Sequence, residues 1–243
     1  MSYADHFSTI ADRYAAYRPS YPPALVDALA EQTTPGTAWD VGCGSGQLAV
    51  GLAARFERVI ATDPSEAQLA AAAAHPRVEY RCERAEATSQ ADASVDLVVV
   101  AQAAHWFAWP GFVAEATRVA RPGALIALVS YGEMLVDEPA GALARYRDVV
   151  APYWPPGREH VDTGYRDLEM PWPAVPARPI DMELAWLREE LVGYVSTWSA
   201  TALLVAQHGS AAFDALRAEL AATWPDDERR IVRWPLAIRL ARR

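Results

Sequence analysis

Apolar and polar positions alternate in two ways along the first half of the chain. Short runs of consecutive apolar residues predict buried strands, and the segments between them carry apolar residues every three or four positions, which predicts amphipathic helices. The predicted strands are residues 37–41, 59–63, 78–82, 95–101 and 124–130, and the predicted helices are residues 23–31, 47–56, 66–74 and 111–120. Strands that alternate with helices at these lengths predict a parallel sheet with right-handed crossovers.

Beyond residue 131 this alternation stops. Residues 132–179 are crowded with proline, tryptophan and tyrosine, and we interpret them as an inserted cap, because proline stiffens a segment and aromatic rings supply apolar area. Two further strands and two further helices are predicted at residues 180–186, 231–240, 189–206 and 210–223. Pro235 indicates a bulge or an end in the last strand.

Together these elements predict an α/β fold: a seven-stranded, mostly parallel sheet with helices on both faces and a helical or irregular cap inserted after the fifth strand. A chain of 243 residues that is 52% hydrophobic is long enough to bury one substantial core. The predicted parts are an N-terminal helical lid at 1–36, a ligand-binding core at 37–131, a substrate cap at 132–179, and C-terminal strands and helices at 180–243 that complete the sheet.

The amino-acid composition excludes some classes of function and favours others. All 22 basic residues are arginine, and the formal net charge is -9. Nucleic-acid binding draws on clustered lysine and arginine, so this acidic balance argues against nucleic acid and favours a small-molecule substrate. Because the chain has no lysine, a P-loop nucleotide site and a Schiff-base mechanism are both excluded.

Cysteine usage and the N-terminal sequence bear on the cellular setting. Cys43 and Cys82 lie far apart and neither has a metal-ligand spacing, so neither a disulfide framework nor a metal site is predicted. The N-terminus lacks a basic segment followed by an apolar run, and no stretch approaches the roughly 20 apolar residues that span a bilayer. We therefore expect a cytoplasmic protein without a membrane segment.

The strongest local motif joins the first strand to its helix and reads Asp40-Val41-Gly42-Cys43-Gly44-Ser45-Gly46. Glycine lets the backbone approach a ligand closely, and unpaired N–H groups at a helix start favour an anionic or electron-rich group. Asp63 ends the second strand about 20 positions later, where a carboxylate can accept hydrogen bonds from both ribose hydroxyls. The alternative is that Asp63 caps the next helix, since Asp-Pro-Ser also starts helices. The motif predicts a nucleotide-type site.

The spacing Asp-x-Gly-x-Gly-x-Gly resembles the first motif of the class I S-adenosylmethionine-dependent methyltransferases, which have a Rossmann-like fold. A dinucleotide fingerprint would need a third glycine where this chain has Gln47. A wider resemblance, over about residues 5–131, is to the trans-aconitate methyltransferase-like family of small-molecule enzymes. It rests on the lid pattern Phe7, Ala11, Tyr14 and 17–22, and on residues 61–65, 101–107, 115–123 and 193–200.

This resemblance implies an enzyme that binds S-adenosyl-L-methionine and transfers its methyl group to an oxygen, as a carboxylate or hydroxyl, or to a carbon of a small molecule. The implied cofactor contacts are Asp40, Gly42, Gly44 and Gly46 at the methionine and ribose end, Asp63 at the ribose, Ala85 and Glu86 at the adenine, and Gln102 beside the methionine. Relatives often carry an Asp or Glu followed by an aliphatic residue near the adenine, and residues 84–87 match this pattern less distinctly. In the lid, Tyr14 and Arg18 are expected to close over the cofactor, and the Arg18 guanidinium can bind a carboxylate in bidentate fashion. The alternative is a structural arginine beside packed tyrosines.

His105 lies beside the implied methyl-transfer position. It can act as a general base, because the ordinary pKa of histidine is close to neutrality, or it can position other groups. Tyr131 and Glu133, just after the fifth strand, are candidates for the acceptor pocket, since ligands of open α/β sheets gather at the carboxyl ends of strands.

Two other functions stay open at this point: a nicotinamide-dependent oxidoreductase, and a non-catalytic nucleoside-binding protein on the same fold. The aromatic residues of the cap suit either an acceptor chamber or a homodimer surface. Nothing in the sequence identifies the methyl acceptor.

Overall fold

The computed structural model describes residues 17–137 and 141–243. Its helices are α1 (Pro23–Ala30), α2 (Ala49–Leu52), α3 (Glu66–Ala70), α4 (Trp109–Val119), α5 (Ala142–Val150), α6 (Arg158–Asp162), α7 (Arg188–Ser196), α8 (Ser199–His208) and α9 (Ala211–Thr223). Short 3-10 turns cover Ala104–Trp106 and Ala151–Tyr153. Its strands are β1 (Thr37–Val41), β2 (Arg58–Asp63), β3 (Val78–Cys82), β4 (Val95–Ala101), β5 (Ala120–Tyr131), β6 (Leu135–Val136), β7 (Ala174–Val175), β8 (Asp181–Trp186) and β9 (Arg230–Arg242).

The strands form one mixed sheet in the order β3-β2-β1-β4-β5-β9. The first five run parallel, and β9 is antiparallel to β5. The chain leaves β1 towards β2 on one side and later returns to place β4 on the other side of β1. This reversal is a topological switch point, where open α/β sheets bind ligands beyond the carboxyl ends of their strands.

Alternate residues of the central strands face opposite sides of the sheet, as the two-residue period of a strand requires. In β4, Leu97 and Val99 join one buried cluster with α1, α2 and α7–α9, whereas Val98 and Val100 join a second cluster with α4. Both faces of the sheet are therefore covered by helices. The predicted α/β class, with a mostly parallel sheet between helical layers, is confirmed.

Several element boundaries differ from the predictions. Seven strands of five residues or more match the seven predicted, and β6 and β7 add two residues each along β9 within the described part of the chain. The predicted helix at 189–206 is two helices, because Thr197 and Trp198 close 3-10 hydrogen bonds to Tyr194 and Val195. Strand β9 continues through Pro235, which pairs with Asp181 of β8 on one edge, while on the other edge the pairing changes from β5 to β6 at this point. The next amide, of Leu236, donates to the carbonyl of Ile180 on the β8 side, so the missing N–H of Pro235 faces the edge that has no ladder bond there.

The predicted cap forms α5, α6 and the two short strands β6 and β7, which attach it to β9. Among residues 17–137 and 141–243, no helix has both the length and the apolar character needed to cross a membrane.

Candidate active site

The turn after β1 holds its three glycines in the left-handed backbone region. The φ angles of Gly42, Gly44 and Gly46 are 68°, 55° and 80°. A Cβ added at Gly42 would lie 2.6 Å from the Cβ of Ala103, so both the backbone angle and the packing require glycine at that position. The turn therefore brings bare backbone to the carboxyl end of β1.

Asp63 is fixed against this turn by two backbone donors. The amide of Gly44 donates to Oδ2 at 2.9 Å, and the amide of Ser65 donates to Oδ1 at 2.9 Å. The N-cap residue of α3 is Ser65, whose hydroxyl accepts from the amide of Gln68 at 3.3 Å. Ser65, and not Asp63, is therefore the N-cap of α3, and the carboxylate of Asp63 lies against the glycine turn.

Asp40 is buried beneath the same turn. Its side chain accepts a hydrogen bond from the amide of Ala49, yet its Oδ2 atom has no hydrogen-bond partner among the described residues. Burial, and then the nearby charge of Asp63, raise the pKa of Asp40 to about 7, against the smaller opposing effect of the Ala49 bond. A buried carboxylate oxygen without a donor is costly unless a ligand supplies one.

A cavity opens at the carboxyl ends of β1, β4 and β5. Most of its wall comes from the lid segment and from the glycine turn: Arg18, Pro19, Tyr21, Asp40, Gly42, Cys43, Gly44, Gln47 and Leu48. The strand ends contribute Ala101, Gln102 and Tyr131. Residues far apart in sequence therefore converge at the switch point of the sheet.

Gln102 enters this cavity on a strained backbone. Its φ is 57°, which is rare for a residue other than glycine and is often found at functional sites. Its amide donates to the carbonyl of Val129 at 2.9 Å, and its side-chain Nε2 donates to the carbonyl of Tyr131 at 2.6 Å. These two bonds hold Gln102 between the ends of β4 and β5.

His105 lies in the 3-10 turn after β4, but it is not among the residues that line the cavity. Its Nδ1 atom is 3.0 Å from the hydroxyl of Tyr165, a fully buried cap residue with a φ of 60°. Burial, and then the nearby charges of Arg158 and His160, lower the pKa of His105 to about 3. The ring is therefore neutral at physiological pH and is held by the cap.

Arg18 reaches the cavity from the lid segment. Its Nη2 atom donates to the carbonyl of Thr197 at 3.3 Å, and its guanidinium lies 5.3 Å from the ring centroid of Tyr194. Tyr17, next to it, packs directly on Gly193 of α7, where an added Cβ would overlap the ring. Tyr14 lies outside the described residues. Helix α7 thus forms the surface on which this end of the lid segment rests.

Replacing Gly193 with alanine is expected to lower the affinity for the cofactor product S-adenosylhomocysteine about tenfold, because the new methyl group displaces Tyr17 and with it Arg18. Alanine is the better helix former by about 1 kcal/mol, so the free protein should unfold at the same temperature or higher. Calorimetric titration and thermal unfolding measure the two effects.

The matched control is Gly51→Ala in α2. There the nearest atom to an added Cβ is a methyl carbon of Val26 at 3.5 Å, which is ordinary contact. This variant should bind like the wild type. Equal losses of affinity in both variants would show that the lid contact is not responsible.

The two residues predicted at the adenine lie outside the cavity described above. Ala85 belongs to the buried cluster of α4, and Glu86 accepts a hydrogen bond at 2.7 Å from the amide of Ala108, which precedes α4. Neither lines the cavity described above. Their role at the adenine stays a prediction.

Sequence reasoning did not single out Leu48 or Ala101 as wall residues, nor Tyr165 as the partner of His105. The first two carry no chemical signal, since apolar residues at these positions also fit the core. Tyr165 is 60 positions from His105 in a segment without periodic pattern. Only the packing of the cap on the 3-10 turn brings the two together.

Comparison with known proteins gives a consistent result. A family described as a methyltransferase domain matches residues 39–128. A Dictyostelium discoideum protein named as a methyltransferase is 33% identical over 209 residues, which cover 83% of this chain and 79% of that protein. A Mycobacterium tuberculosis protein named as an uncharacterized methyltransferase is 30% identical over 220 residues, or 90% of this chain and 86% of that one. A solved structure from Anaeromyxobacter dehalogenans, described as a type II methyltransferase, is 44% identical with a TM-score of 0.86 and covers 93% of this chain and 98% of that chain.

Proposed function

The chain belongs to the S-adenosylmethionine-dependent methyltransferases, and on that premise we propose that its acceptor is a small molecule, methylated at a carboxylate or hydroxyl oxygen or at carbon. The observation that carries this proposal is the cavity in which the glycine turn, the buried Asp40 and the ends of β4 and β5 meet. The net charge of -9 supports a small acceptor rather than a nucleic acid.

The residues of the cavity, together with Asp63 behind Gly44, fit a cationic nucleoside cofactor. Asp40 offers a buried oxygen for which residues 17–137 and 141–243 supply no donor, and Asp63 offers a carboxylate oriented by two backbone amides. Gly42 and Gly44 add no side chain of their own to the wall of the cavity. A ligand with positive charge and several hydroxyl donors satisfies these groups, whereas a pyrophosphate would meet two carboxylates.

We assign the cofactor contacts on this basis. Asp40, Gly42, Gly44 and Gly46 hold the methionine and ribose end, Asp63 holds the ribose, and Gln102 lies beside the methionine. Arg18, with Tyr14, closes the site from the lid at 1–36, and Ala85 and Glu86 flank the adenine. The core at 37–131 holds the cofactor, and residues 132–179 cover the acceptor.

S-adenosyl-L-methionine supplies a methyl group bound to a sulfonium, which is a strong electrophile. The protein's residues then have to hold the acceptor in line with that methyl group and keep water away. Tyr21 and Tyr131, whose rings meet edge to face at 6.1 Å, form an apolar wall suited to both tasks. A carboxylate acceptor is already ionised at neutral pH and needs no base, whereas a hydroxyl or a carbon acid does.

His105→Ala separates the two roles of this histidine. A general base contributes a factor of about 100 to 10,000, so a smaller loss of kcat/KM identifies a positioning role. With a pKa near 3 the ring stays unprotonated above pH 4, and we expect the variant to keep about a tenth of the activity or more, with the same pH profile as the wild type between pH 5 and 8.

His208→Ala, at the exposed end of α8, is the control and should be fully active. A loss of about 100-fold or more in His105→Ala alone, with normal thermal unfolding, would instead establish the base.

Binding and turnover test the proposed function directly. Calorimetric titration with S-adenosylhomocysteine should show binding, and titration with NADH should show none. A screen of small acids, phenols and indole-like compounds for transfer of a labelled methyl group then identifies the acceptor. Binding of the nucleoside without transfer to any acceptor would favour a non-catalytic binding protein.

A further inference from the structure

Two amide side chains converge on Gly44, beside the carboxylate of Asp63. A Cβ built on Gly44 has two heavy atoms within 4 Å, the Oε1 atoms of Gln47 at 3.7 Å and of Gln68 at 3.8 Å. Apart from the two chain neighbours of Gly44, no other atom of the described residues lies within 4 Å of that Cβ position, and both amides present an acceptor to it. Two acceptors that face one point repel each other unless a donor lies between them.

Of the two glutamines, Gln68 is the stronger evidence for a bound ligand. It lies in α3 and is only 3% exposed, yet its Oε1 atom has no hydrogen-bond partner among the described residues. An unsatisfied buried acceptor is destabilising, and buried polar groups of folded proteins are nearly always paired. A methionine or leucine at this position would fill the space without that cost. The amide therefore suits a ligand rather than the fold.

Gln47 and Asp63 complete the arrangement. The Nε2 atom of Gln47 donates to the hydroxyl of Ser45 at 2.7 Å, which turns its Oε1 atom towards Gly44. The amide of Gly44 itself donates to Asp63 at 2.9 Å. One carboxylate and two neutral amide oxygens thus surround Gly44, without a basic side chain among them.

We propose that Gln68, assisted by Gln47, accepts hydrogen bonds from the ribose hydroxyls of the cofactor and selects a nucleoside whose sugar is unphosphorylated. The inference rests on the proposed function, since it concerns the same nucleoside site. A diol has two O–H donors, and a set of three acceptor side chains satisfies both of them. A phosphate on either hydroxyl would bring negative charge against Asp63 and offer no donor in return.

The test compares Gln68→Met and Gln68→Leu with Gln47→Met by calorimetric titration. The probes are S-adenosylhomocysteine and its 2′-deoxy and 3′-deoxy analogues. We expect either Gln68 variant to bind S-adenosylhomocysteine about tenfold more weakly than the wild type. The same variants and the wild type should bind the analogue that lacks the hydroxyl bound by Gln68 with equal affinity, because neither can form that hydrogen bond.

Thermal unfolding of the free protein separates this role from a structural one. Removing an unsatisfied acceptor should leave the unfolding temperature unchanged or raise it, whereas loss of a structural contact would lower it. Gln90→Met is the matched control. Gln90 is 5% exposed, and neither of its side-chain polar atoms has a partner in the part of the chain that the structure describes, but it lies in the loop after β3. Its replacement should not alter affinity for any of the probes.

The possible failures are distinguishable. If the wild type does not bind S-adenosylhomocysteine, the proposed function fails and this inference with it. If the wild type binds but both Gln68 variants bind within twofold of it, only the inference is overturned. It is also overturned if these variants bind both deoxy analogues tenfold more weakly than the wild type does, because the lost affinity then does not depend on a hydrogen bond to either hydroxyl.

Discussion

Asp63→Ala is expected to weaken binding of S-adenosylhomocysteine by about 100-fold or more. Hydrogen bonds to a charged group contribute about 1.5–3 kcal/mol each, and the proposed ribose contact of Asp63 involves at least one of them. The substitution also leaves the amides of Gly44 and Ser65 without their acceptor, so the turn itself loses order. Calorimetric titration measures the effect.

Asp92→Ala is the control for this substitution. The Asp92 side chain is 80% exposed and pairs with Arg118, a surface contact that contributes about 1 kcal/mol at most. This variant should bind S-adenosylhomocysteine as the wild type does. An affinity of Asp63→Ala within threefold of the wild type would contradict the assignment of the ribose site to this carboxylate.

The central strands could be predicted from sequence because their signal is local. In a parallel sheet covered on both faces, strands are continuous apolar runs, and residues 95–101 satisfy that description without reference to the rest of the chain. The glycine turn and Asp63 were predictable for a related reason. Their spacing reflects two adjacent strands whose carboxyl ends must meet, so sequence distance and spatial distance are linked.

The helix breaks and the cap could not be predicted in the same way. Residues 189–206 carry no proline, and their one glycine, Gly193, lies within α7, but Thr197 bonds its hydroxyl to the carbonyl of Tyr194 at 2.7 Å and ends α7 there. In the cap, aromatic residues are compatible with a chamber, a dimer surface or a core. The buried ring of Tyr165 beside His105 depends on tertiary packing that no period along the chain encodes.

Some properties of the site residues could be predicted from the sequence, and others depend on the fold. Asp40 was predicted as a cofactor residue from its motif, whereas its raised pKa depends on burial and on the proximity of Asp63, which sequence alone does not measure. Gln68 gave no signal, because one polar residue in an alanine-rich helix is typical of a solvated face. Only the fold shows that Gln68 is buried, and this burial is the reason to expect that it binds a ligand.

Asp40→Asn is expected to stabilise the free protein at pH 8 while weakening the cofactor site. The pKa of Asp40 is raised from 3.8 to about 7, so the folded state holds a proton that the unfolded state releases between these values. Stability of the wild type is therefore greatest below about pH 4 with respect to this group, and it falls as the pH rises to about 7. At 1.36 kcal/mol per pKa unit the cost at pH 8 is on the order of 4 kcal/mol, which a neutral amide of the same shape removes in part.

Binding should depend on pH in the opposite direction. A cationic ligand favours ionised Asp40, so the affinity for S-adenosyl-L-methionine should increase about tenfold per pH unit as the pH rises from 6 towards 7 and then level off. Titration in two buffers of different ionisation enthalpy should detect a proton released on binding at pH 6 by the wild type but not by Asp40→Asn. The variant should bind weakly at every pH, with no slope. Equal affinity of the wild type at pH 6 and pH 8, without proton release, would show that the carboxylate beneath the turn does not respond to the ligand's charge.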